Sequence, residues 1–265
     1  MLKIIEEMDL KSLDLAGKDV FFLCGMPGIG SVGKLVIETM VVQLKAQLAV
    51  TIYFDDFPSQ VIVEPGGKLL LPTVQIFLAT PNETSTFLLM TGDFQPSSNI
   101  GIYGFVDGVM NYLTKEKDLK LSLLLSTGAY VPDQVPLEPK IYVSATDLVE
   151  MEKLVEIDPE KVNHMEGGII TGANGIIPAW GLLIGIPGIC MLAETIPMVK
   201  RDPKAARIIL ETLAKRFSIE MDLSDLDAMS DEMDKNIDDL KRRAGIMPES
   251  KEEESGTKAR QSYIG

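Results

Sequence analysis

The residues best placed to do chemistry lie in Cys24-Gly25-Met26-Pro27-Gly28-Ile29-Gly30-Ser31-Val32-Gly33-Lys34, where an apolar run breaks into glycines and resumes with helical spacing. This pattern predicts a buried strand, a tight turn and a helix start, the arrangement that presents backbone amides to phosphate. Gly28, Gly30 and Gly33 fit a dinucleotide fingerprint, and Gly28 and Gly33 followed by Lys34 fit a phosphate-binding loop up to its last position. That position needs a hydroxyl to hold magnesium and carries Leu35, which argues against the second pattern. The first pattern expects an acid about 20 residues beyond the last glycine. Asp55 and Asp56 follow the apolar stretch 48–54 in that place. Pro27 counts against the pattern, because it removes an N–H from a loop whose amides should face pyrophosphate. A nucleotide or nucleoside site built from Gly28, Gly30, Ser31, Gly33 and Asp55 therefore stands as an alternative. The plainer reading is that the glycines permit a tight turn and close packing of helix on sheet.

Other chemistry has little to build on. The one histidine, His164, sits among charged neighbours with no G-x-S-x-G elbow elsewhere, so a serine hydrolase is not indicated. One His and two distant cysteines do not make a standard metal ligand set. Cys24 and Cys190 each lie in an apolar run and read as buried small hydrophobes. Glu64, Glu83, Asp93, Asp107 and Glu194 are carboxylates near expected strand ends, yet their spacing selects no acid and base pair. No catalytic residue, cofactor or metal is expected.

Composition narrows the class. The chain has 265 residues, 46% of them hydrophobic, enough for a full core. A net charge of −14 argues against a nucleic-acid partner, whose phosphates need a basic face. The longest apolar region, 175–192, is broken by Pro178, Gly181, Gly185, Pro187 and Gly188, so no membrane span is expected. The acids in Met1-Leu2-Lys3-Ile4-Ile5-Glu6-Glu7 do not suit a signal peptide, and the expected location is the cytoplasm.

The elements that must position these residues alternate between strands and helices. Strands are expected at 20–24, 48–54, 121–125, 140–145 and 186–195, with helices at 31–47, from a Ser97 cap to 112, a short one after Asp147, and from Asp202-Pro203 to 217. Apolar runs at 69–79 and 86–90 are close enough to form an antiparallel hairpin. The expected fold is α/β, a mixed and largely parallel sheet flanked by helices. The glycine-rich stretch 167–181 shows no period and predicts close backbone approach.

The last part differs in kind. Residues 220–254 hold thirteen acids and five bases, a net −8 of the chain's −14. Leu226, Met229, Met233, Ile237, Leu240 and Ala244 recur at spacings of 3 and 4, drawing one apolar stripe along a helix. The expected organisation is a domain over 1–218, an acidic amphipathic helical extension over 219–247 and a flexible tail over 248–265. The stripe needs a covering surface, from the chain's own core, a second subunit or another protein.

Three blocks together resemble the proteasome assembly chaperone 2 family. They are the strand-turn-helix over 24–33, the central Thr171-Gly172-Ala173-Asn174-Gly175-Ile176-Ile177-Pro178, and Gly185-Ile186-Pro187-Gly188 with residues 192–195. The order and separation of the blocks look most like archaeal and actinobacterial members. The resemblance implies a fold similar to nucleoside phosphorylases without their catalytic residues, and a homo-oligomeric chaperone for proteasome assembly. It further implies a tail that docks on the proteasome α-ring, as archaeal relatives do with a C-terminal hydrophobic-Tyr-X sequence. Here Tyr263 is third from the end and follows Ser262, so Tyr263 and Ile264 match that pattern imperfectly. The partner-binding residues expected are Tyr263, Ile264, Met229, Met233, Ile237 and Leu240.

Overall fold

The computed structural model of the chain describes residues 1–134, 138–197 and 199–243. Its elements are β1 (Leu2–Glu6), β2 (Asp19–Cys24), α1 (Val32–Gln43), β3 (Gln47–Phe54), β4 (Ile62–Val63), β5 (Leu69–Leu70), β6 (Val74–Ala79), β7 (Ser85–Gly92) and α2 (Asn99–Asn111). There follow β8 (Leu121–Tyr130), β9 (Ile141–Ala145), α3 (Leu148–Val155), β10 (Val162–His164), α4 (Ala173–Ile184), β11 (Gly188–Glu194), α5 (Pro203–Phe217) and α6 (Ser224–Arg243). Nine strands form one sheet in the order β1-β3-β6-β7-β2-β8-β11-β9-β10. Its centre, β7-β2-β8-β11, is parallel throughout. Antiparallel pairings extend it through β6, β3 and β1 on one side and join β11 to β9 on the other.

A sheet covered on both faces needs strands apolar on both faces, and β7 is buried along its whole length. Its side chains alternate between two cores. Phe87 and Leu89 join a cluster with α1, α3, α5 and α6, whereas Leu88 and Met90 join one with α2 and α4. Helices α3 and α5 start on ordinary caps: Asp147 accepts from the Glu150 amide at 3.0 Å, and Asp202 from the Ala205 amide at 3.0 Å ahead of Pro203.

The strand after α1 does not lie beside β2, since β3 pairs antiparallel with β1 and β6. The structure departs from the sequence expectations in four places. Helix α1 stops at Gln43 because Lys45 takes φ 50° and turns the chain into β3. The cap of α2 is Ser98, whose hydroxyl accepts from the Gly101 amide at 2.9 Å, while Ser97 donates its amide to the Asp56 carbonyl. Leu69–Leu70 pairs with Ile62–Val63 in a separate small hairpin and not with the main sheet. The glycine-rich stretch holds the start and most of a helix, α4, which runs on to Ile184.

Helix α6 lies against α5. Leu226 is buried in the same cluster as Phe217 and Ile219, and Met229 packs on it, so the core runs across residue 218. Lys204 meets Asp234 at 2.7 Å, and Arg207 pairs with Asp227, tying α6 to α5. Met233 and Ile237 are half-buried farther along the stripe. Tyr263, Ile264 and the tail lie outside the described residues, as does the side chain of Leu240.

Candidate functional site

The glycine turn after β2, the loop before α4 and the end of β11 meet at the carboxyl ends of the parallel strands, where open α/β sheets form their crevices. Asn174, apart from Trp180 the only polar side chain in α4, is buried at the first turn. Its carbonyl oxygen accepts from the Met26 amide at 2.9 Å, and its amide nitrogen donates to the Met26 carbonyl at 3.2 Å. Gln95 makes the parallel connection. Its Nε2 donates to the Pro27 carbonyl at 2.6 Å, and its Oε1 accepts from the Ala173 amide at 2.8 Å. Two side-chain amides therefore hold the turn to the start of α4 from both ends.

The far side of the turn is fixed with equal care. Gly30 sits at φ 57° and Ser31 at φ 47°, two left-handed residues in succession. The Gly30 carbonyl accepts from the Asp202 amide at 2.9 Å, and the Thr195 hydroxyl donates to Asp202 Oδ2 at 2.6 Å. A Cβ on Gly30 would stand 3.2 Å from the Thr195 hydroxyl and 3.3 Å from Asp202. The closing block of the sequence pattern, ending in Thr195, is thus the clamp on the first block.

Most glycines here are needed for packing. A Cβ on Gly25 would lie 1.9 Å from the Gly33 carbonyl oxygen, and one on Gly33 would lie 2.2 Å from that of Thr127. These approaches press α1 onto β2 and β8, and the Thr127 hydroxyl donates to the Cys24 carbonyl at 3.3 Å. On the other face, a Cβ on Gly181 or Gly188 would strike the carbonyl oxygen of Ile186 or Pro178. Beneath α4, Cys24, Ser126 and Cys190 form a row of small side chains in register across β2, β8 and β11. Burial pushes the Cys24 thiol well above its ordinary pKa and the Cys190 thiol up to about 11. Both are free thiols, buried and protonated at neutral pH.

The phosphate-loop likeness does not carry over to the side chains. Lys34 donates to the Gly92 carbonyl at 2.9 Å and stands 3.7 Å from Glu38 and 3.9 Å from Asp93. Asp55 pairs with the amino group of Met1 at the end of β3, with β6 and β7 between it and β2. Gly28, Gly30, Ser31 and Gly33 are brought together, and Asp55 is not among them. His164 lies on β10 with Nε2 3.1 Å from Glu152. Glu194 is buried, accepting from the Lys140 amide at 3.0 Å and the Tyr142 hydroxyl at 3.3 Å. Burial, then the Glu194 charge, raises the Tyr142 pKa.

Between these loops lies a cavity of about 620 Å³ whose walls include Met26, Gly28, Tyr130, Ser144, Thr171 and Leu192. Sequence reasoning missed Gln95, Tyr130 and Ser144. Gln95 had no local signal, and Asn174 entered the sequence reading only as part of the block 171–178, with no role given to its amide.

The sequence model of the PAC2 family matches residues 22–241, from β2 through α6. The uncharacterized protein MJ1210 of Methanocaldococcus jannaschii is 28% identical over 267 residues, spanning 100% of this chain and 99% of its own length. Among solved structures, Pyrococcus furiosus PbaB, an archaeal proteasome activator, is similar with a TM-score of 0.80 at 25% identity, over 91% of this chain and 98% of its own. Pyrococcus furiosus PbaA, an archaeal homolog of proteasome-assembly chaperone, shares the fold with a TM-score of 0.71 at 15% identity, over 92% of this chain and 93% of its own. With the three sequence blocks joined at one site and the family match running through the whole sheet and its helices, the chain belongs to the PAC2 family.

Proposed function

We propose that this chain is a non-catalytic chaperone or adaptor that binds proteasome subunits during proteasome assembly, acting in the cytoplasm as a homo-oligomer. The observation that carries the reading is the surface made by α2 and α4. Helix α4 contains no charged residue, and Leu182 and Leu183 on it are each 71% exposed. On α2, which packs beside α4, Ile100 and Tyr103 are exposed as well, with Tyr103 against Trp180 of α4 at 6.2 Å between ring centroids. In a chain of net charge −14, an exposed apolar face whose α4 half carries no charge, with Asp107 on α2 at its side, fits a protein partner, including a second copy. The likeness to PbaB directs the client reading to the proteasome.

Contact with the α-ring is assigned to Tyr263 and Ile264, with Met233, Ile237 and Leu240 of the stripe as a second contact. Met229 already packs on the chain's own core, so its part in partner binding would be indirect. Light scattering after size exclusion tests the reading, on the full chain and on one ending at Arg243, each alone and mixed with proteasome α and β subunits. A cut at Ser218 would remove Leu226 from the core, which is why the shorter chain keeps α6. The expected result is an oligomer for both chains, broken by Leu182→Glu with Leu183→Glu, and co-elution with α subunits that requires the tail. Absence of any complex with the full chain overturns the client assignment.

A further inference from the structure

We propose that the cavity at the carboxyl ends of β2 and β8 is a binding site for a neutral, partly apolar small organic molecule that carries hydrogen-bonding groups. Its volume, about 620 Å³, falls within the roughly 300–1,000 Å³ of small-molecule pockets, and it sits where the sheet's connections diverge.

The glycines separate into two kinds. Gly25 and Gly33 are forced by backbone contacts closer than any side chain tolerates. Gly28, at the cavity wall, is not. Its φ of −161° is extended, and a Cβ there would find only the Met26 carbonyl, at 3.9 Å. Gly167 and Gly168, which also line the cavity, have nothing within 4 Å of a Cβ. Neither packing nor, at Gly28, backbone conformation explains the missing side chain, and side chains on these walls would reduce the space.

The chemistry of the walls selects the ligand. Among the described residues, no charged side chain lines the cavity. Lys34, the cation nearest in sequence, is engaged by Gly92, Glu38 and Asp93. A phosphate or carboxylate would lose its hydration there without a countercharge. The hydroxyls of Tyr130, Ser144 and Thr171 have no hydrogen-bond partner among the described residues. They can both donate and accept, while Met26, Ile29 and Leu192 supply apolar surface.

The test uses the full chain with methyl-labelled Met and Ile, titrated with neutral heteroaromatic fragments and with their matched carboxylates, read by NMR. The expected result is saturable shifts at Met165 and Ile169 with neutral fragments, and at least about tenfold weaker binding of the carboxylates. Gly28→Leu, directed into the open space, should abolish the shifts. Tyr130→Phe, which keeps the ring, should weaken binding about three- to tenfold and serves if Gly28→Leu does not fold. No shift with any neutral fragment, equal binding of the carboxylates, or undiminished binding in both variants overturns the proposal.

Discussion

Asp56 stands at the end of β3 and holds the start of α2. Its carboxylate accepts from the Ser98 amide at 2.8 Å and the Ser98 hydroxyl at 2.9 Å, and its carbonyl accepts from the Ser97 amide. The Ser98 amide, against a smaller opposing push from desolvation, lowers the Asp56 pKa from its ordinary value. A carboxylate with a depressed folded pKa contributes stability that is complete above its unfolded pKa, about 3.9, and is lost as pH falls through the folded value. Urea midpoints should therefore be lower for Asp56→Asn than for the natural chain at pH 7, with the difference shrinking below about pH 4. A difference that stays constant down to acid pH would exclude this role. At this scale the sequence was informative about residue type and misleading about use. Asp55 and Asp56 were legible as acids at a strand end, and their engagement by the Met1 amino group and the cap of α2 came only with the tertiary structure.

Among the elements, α4 shows most clearly what periodicity hides. Four of its features obscure a helix in sequence: Gly175 and Gly181, Pro178 in its middle, and apolar residues on all sides. Pro178 lacks the N–H that would bond the Asn174 carbonyl, and that carbonyl accepts from the Ser126 hydroxyl of β8 instead. Ser126→Ala should cost about 1–3 kcal/mol by leaving a buried carbonyl without a partner. In a Pro178→Ala background the restored N–H takes over, so the same change should cost only a few tenths, roughly. Denaturation of the four chains in a double-mutant cycle measures the coupling, and strictly additive costs would separate the hydroxyl from the proline. Helices α3 and α5 were legible because each had a cap and a stripe, as α5 has Asp202, Pro203 and the buried Ile209, Leu210 and Leu213.

For the molecule as a whole, the α/β class was legible from alternation, and the sheet order was not. Each strand's apolar pattern reports that it is buried and is silent about its neighbours, so nothing local separated β3 from β2. The same feature governs how the chain reaches its native state. In the parallel centre Leu23 pairs with Leu89 and with Leu125, and Leu125 with Ile189. Each pairing closes a long loop before it yields any contact energy. Refolding by stopped-flow fluorescence of Trp180 should therefore take milliseconds to seconds, and a complete microsecond recovery would contradict this. During that interval β7, apolar on both faces, has no cover, so the yield of refolding should fall as protein concentration rises. On a ribosome, β7 can find both its neighbours, β6 and β2, in chain already made, whereas β2 must wait for β8 to emerge before the sheet can close on its other side.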